Sequence, residues 1–67
     1  MKQVEYKWRR VSKDDYDLFI NDRPSGRCWR LPDFDRFAWL SDPTAASLDA
    51  ADMLVIVGKL TELNGRI

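Results

Sequence analysis

Tyr16–Trp39, YDLFINDRPSGRCWRLPDFDRFAW, holds six of the chain's eight aromatic residues and its single cysteine. Its reading decides the fold. Over 16–20, Tyr16, Leu18 and Ile20 share one face, and Asp17 and Phe19 share the other. That period of two is the mark of a strand. Asn21–Gly26 interrupts it. Pro24 presets φ and Gly26 supplies a permissive site, so a turn is predicted there. Alternation resumes over 27–31, with Arg27, Trp29 and Leu31 opposite Cys28 and Arg30. Pro32-Asp33-Phe34-Asp35 predicts another turn. A short fourth strand follows at 36–40, with Phe37 and Trp39 on one face and Ala38 and Leu40 on the other.

Working outward, residues 3–11 alternate as well. Val4, Tyr6 and Trp8 line one face; Gln3, Glu5, Lys7 and Arg9 line the other. Between 11 and 16 there is no Asn-Gly or Asp-Gly pair, so a loop of three to five residues is expected. On the C-terminal side, Asp42-Pro43 and Ser47 are both candidate helix starts. Residues 47–63 suit a helix that Asn64-Gly65 stops. Within it, Met53-Leu-Val-Ile-Val57 is apolar all round, which calls for cover on two sides. Its β-branched residues keep a buried strand as the alternative. The expected fold class is α+β: an antiparallel three- to four-stranded meander with one C-terminal helix packed on it, forming one domain over 1–67.

Composition narrows the function. Eleven basic residues balance eleven acidic ones in 67 residues. No net field therefore draws the chain to nucleic acid or to a membrane. The start, MKQVEYKWRR, lacks the apolar run of a signal peptide, and one lone thiol suits a reducing compartment. A cytoplasmic protein is expected. Histidine is absent, which removes the commonest general base and any finger-type zinc site. Without a His to activate it, Cys28 reads as a packing residue rather than a nucleophile. Asp33-x-Asp35 lacks the ligand number and spacing of a calcium loop and reads as turn chemistry. The three glycines are too scattered for a phosphate loop. No enzyme, cofactor or metal site is expected.

What remains is arginine interleaved with tryptophan. Trp8-Arg9-Arg10 and Arg27-Cys28-Trp29-Arg30 would lie side by side if the first and third strands are neighbours. Trp8 and Trp39 are expected to be core. Trp29 shares a face with Arg27, which is unusual for a buried face. The candidate partner surface is Arg9, Arg10, Arg23, Arg27, Trp29 and Arg30, chemistry common in protein–protein hot spots. Nucleic-acid binding by stacking and phosphate contact is the second reading. Against it, Asp14, Asp15, Asp17, Asp22, Asp33 and Asp35 are threaded through the same region. The doubly apolar helix suggests a homodimer through Met53, Ile56, Val57 and Leu60.

The layout YDLFINDRPSGRCWR…FAWLSDP…SLDAAD resembles small proteins of phages and mobile elements that carry a β-meander, a hairpin like Asn21–Gly26 and a helix opening like Ser47–Ala50. Such groups include inhibitors of host defence, anti-CRISPR proteins among them. The resemblance implies an inhibitor or adaptor that binds a host protein.

Overall fold

The computed structural model describes residues 3–45 and 47–65. Four strands, β1 (Tyr6–Ser12), β2 (Asp15–Ile20), β3 (Arg23–Arg30) and β4 (Phe37–Ser41), form one antiparallel sheet in chain order. The helix α1 (Ala50–Asn64) packs across one face of it. The chain is α+β, a meander followed by a helix.

The first two hairpins are tighter than the sequence suggests. Lys13 and Asp14 alone separate the paired Ser12 and Asp15. Asn21 and Asp22 alone separate Ile20 and Arg23, with φ of 50° and 64°. Those angles match a type I′ turn, which follows the twist of the strands it joins. Asn21 is held further by a pair of bonds: its N–H donates to the Glu5 carbonyl (2.9 Å) and its Oδ1 accepts from the Glu5 N–H (2.9 Å). The expected turn at Asn21–Gly26 therefore closes at its first two residues. Pro24 to Gly26 belong to β3, where the register shifts between Leu18 and Phe19. Proline is tolerated beside such a bulge.

Gly26 is required where it stands. Its φ is 153°, and a Cβ there would lie 2.5 Å from the Leu40 carbonyl oxygen and 2.5 Å from the Trp39 ring. The indole of Trp39 thus lies where a side chain at 26 would be.

Neither Asp42 nor Ser47 opens the helix. Asp42 closes a single turn, accepting from the Thr44 N–H (2.9 Å) and hydroxyl (2.7 Å). These bonds hold its carboxyl below the usual range. The cap is Asp49, in a reciprocal box with Asp52. Asp52 N–H donates to Asp49 Oδ1 (2.8 Å), and Asp49 N–H donates to Asp52 Oδ2 (3.0 Å). Met53–Val57 is helical, so the strand alternative falls.

The core lies between helix and sheet. Leu18, Cys28, Ile56 and Leu63 are buried in it. Around them Trp8 meets Trp39 edge-on at 6.5 Å, and Tyr16 meets Phe37 at 6.1 Å. Trp8 and Trp39 both border the core, as their strand parity predicts. Lys59 reaches in from α1, its Nζ 4.9 Å from the Tyr16 ring centre and 5.6 Å from that of Trp8. Two polar ties fix the ends of α1. At the N-terminal end the Tyr6 hydroxyl donates to Asp52 Oδ1 (2.6 Å). At the C-terminal end Asn64 both accepts from the Phe37 N–H (2.7 Å) and donates to the Phe37 carbonyl (3.2 Å).

Candidate functional site

Strand pairing divides the sheet into two unlike faces. Paired residues point the same way, so Tyr6, Trp8, Tyr16, Leu18, Cys28, Phe37 and Trp39 lie under α1. The opposite face carries two cross-strand rows that matter here. One runs Arg9, Asp17, Arg27, Leu40; the other brings Asp15, Trp29 and Ala38 together. Phe19 and Pro24 form a third pair on that face. No helix covers it.

Trp29 therefore stands between two short neighbours, Asp15 and Ala38, on the uncovered face. It is half-buried, and Leu40 and Val11 nearby are exposed. Arg27 donates from Nε to Asp17 Oδ1 at 3.0 Å. Arg9 is opposite Asp17 in the register but makes no ion pair among the described residues. Beside Arg27 a groove of about 240 Å³ opens between β3 and the segment after β4. Asp17, Pro24, Arg27, Leu40, Asp42 and Pro43 line it. That volume is below the usual range for a small-molecule site, roughly 300–1,000 Å³. It matches the bulk of one or two amino-acid side chains.

The expected cluster is thus split. Arg9, Arg27 and Trp29 share the open face. Arg10 and Arg30 follow the parity of the covered face, at its far end. Arg10 lies over the Tyr16 ring (5.9 Å to its centre) and donates to the Ser12 carbonyl. Arg30 pairs with Asp35 and lies near Asp14. Arg23 sits at the tip of the β2–β3 hairpin. Because β2 separates β1 from β3, the Trp8 and Trp29 clusters are not side by side. Trp8 faces the helix, and Trp29 faces away from it. Of the helix residues, Ile56 is 1% exposed and belongs to the core, and Leu60 is half-buried; Met53 and Val57 face outward with Leu54.

Phe19, Leu40 and Asp17 join the site from strands whose alternation was legible. Only the strand order was needed to place them beside Arg27 and Trp29.

The sheet edges offer less than its open face. The β1 edge carries Lys7, Arg9 and Arg10 and a register shift between Arg10 and Ser12. Charge and bulges of this kind discourage strand addition. On the β4 edge, Asn64 occupies the Phe37 N–H and carbonyl.

Cys28 is fully buried, and burial pushes its thiol up to about 11, against a lowering by the nearby Lys59 charge. It stays protonated at neutral pH. Among the described residues no three His, Cys, Asp or Glu side chains are placed to hold a metal ion. Among the described residues no helix is long and apolar enough to cross a membrane. Comparison with known proteins found no matching protein family, curated protein or solved structure.

Proposed function

We propose that the chain is a non-enzymatic interaction module that engages a protein partner through the open face of its sheet. Trp29 and Leu40 are the apolar anchors, the groove beside Arg27 takes a partner side chain, and Arg9 and Arg27 set the orientation. The observation that carries this reading is Trp29 on an uncovered face beside exposed Leu40 and the Arg27–Asp17 pair. An aromatic set among mixed charges is the composition of a protein interface core. A cytoplasmic inhibitor or adaptor of the phage and mobile-element type fits the resemblance of the sequence and the lone thiol.

The mixed charge decides against nucleic acid as the first reading. Asp15 and Asp17 share the face with Arg9 and Arg27, so a phosphate backbone would meet both signs there. A protein surface can match such a pattern charge for charge.

The test is affinity capture from the source cell with the wild-type chain and with Arg27→Glu, both checked for native circular dichroism. One polypeptide recovered by wild type and lost with Arg27→Glu is the expected result. Equal recovery by both would remove the open face from the interaction. Salt-sensitive binding to mixed DNA or RNA, lost in the same variant, would move the assignment to nucleic acid.

A further inference from the structure

The helix is apolar on its outer face as well as on the inner face that buries Ile56 and Leu63. Its charged side chains lie toward the sheet or at its flank. Asp52 is buried under the Tyr6 hydroxyl, and Lys59 sits over two aromatic rings and pairs with Glu62 at 3.2 Å. The outward stripe of Ala50, Leu54, Val57, Gly58 and Thr61 follows the i, i+4, i+7, i+8, i+11 spacing of one helix face. It carries no charge. Leu54 is 72% exposed and Val57 52%, with Met53 beside them at 44%. The Thr61 hydroxyl donates to the Val57 carbonyl (2.8 Å), which satisfies the one polar side chain of the stripe within the helix.

We propose that this stripe is the interface of a two-fold homodimer in which the helices run antiparallel and Leu54 of each copy seats over Gly58 of the other. Two observations select a second copy as the occupant. First, the stripe is self-complementary. Nothing lies within 4 Å of where a Gly58 Cβ would be, so Gly58 leaves a gap one turn beyond the protruding Leu54. A two-fold axis between them places knob on gap twice, as an isologous contact requires. Second, the stripe itself holds no charge to be buried, and antiparallel helix dipoles attract. A membrane surface is a poor occupant, because no lysine or arginine borders the stripe within α1 except Lys59, whose ammonium is turned to the rings.

Such a dimer is a stack of sheet, helix, helix, sheet. Both open faces point outward, which makes the assembly bivalent.

The test is sedimentation velocity on the full chain over a concentration series reaching several hundred micromolar. The expected result is a shift from 7.9 kDa to twice that mass. Leu54→Glu buries an unpaired charge and should weaken self-association by at least about 30-fold, with unchanged circular dichroism because the position is exposed. Gly58→Leu fills the gap; it should weaken the dimer in the same direction while helix content holds or rises. A mass of 7.9 kDa at every concentration, or wild-type association in Leu54→Glu, would overturn the dimer. Wild-type association in Gly58→Leu would overturn the seating of Leu54 on Gly58.

Discussion

The two faces of the sheet are built from the same residue types and end differently. Under the helix, Trp8, Trp39, Tyr16 and Phe37 pack edge to face around Leu18 and Cys28, and Lys59 closes the ring from above. On the other face, Trp29, Phe19 and Leu40 stand among Arg9, Arg27 and Asp17, with no second layer among the described residues. A tryptophan beside an arginine is therefore not one signal. Beside Cys28 and Gly26 it borders the core under the helix; beside Asp15 and Ala38 it stands half-buried on the face that the helix leaves open. The difference comes from what stands across the strand and from which side the helix lands on.

The largest way to sharpen this comparison is at its centre. Leu18→Ala empties a fully buried position and should cost about 3 kcal/mol in urea unfolding. A loss under about 1 kcal/mol would mean that the helix does not pack as described. Next is Gly26→Ala. Its methyl would meet both the Trp39 ring and the Leu40 carbonyl at a φ that side chains avoid. A loss of about 2 kcal/mol is expected, and a neutral result would contradict the Trp39 placement.

The Tyr6–Asp52 tie gives a smaller effect with a pH signature. The Tyr6 hydrogen bond, then the Asp49 backbone bond, hold Asp52 below its ordinary value. The same hydrogen bond, with burial and the carboxylate charge, pushes Tyr6 up to about 12. For Asp52 the folded value is the lower one. Its contribution is present above about pH 4 and is lost as pH falls through the folded value. For Tyr6 the folded value is the higher one. Its contribution is present below pH 10 and is lost as pH rises toward about 12. Tyr6→Phe should lower the melting temperature by a few degrees at pH 7 and flatten both limbs of the stability profile. Unchanged limbs would show that the tie is not formed in solution. Smallest of all, Arg27→Ala should change stability by under about 0.5 kcal/mol, since its pair with Asp17 is partly exposed. A larger loss would make Arg27 a structural residue.

Much of the fold was legible because alternation is a direct record of facing. The parities of Tyr16, Leu18, Phe37 and Trp39 read from the chain are those of the folded sheet. The turns were less legible. Asn21-Asp22 takes the left-handed region without a glycine, while Pro24 and Gly26, the usual turn residues, serve a bulge and a ring contact. The helix start was hidden because Asp42, Ser47 and Asp49 are all capping residues. Only the reciprocal bond from Asp52, itself anchored to Tyr6 across the fold, selects Asp49. The candidate site was legible as a face of β3 but not as a surface, because parity does not say which face the helix covers.

The most direct test of that division is to melt Trp29→Ala and Trp39→Ala side by side. If the two faces differ as described, Trp39→Ala lowers the melting temperature by roughly 10 °C or more, and Trp29→Ala by less than half as much. Equal losses, or a larger loss at Trp29, would contradict the placement of Trp39 under the helix and of Trp29 on the open face.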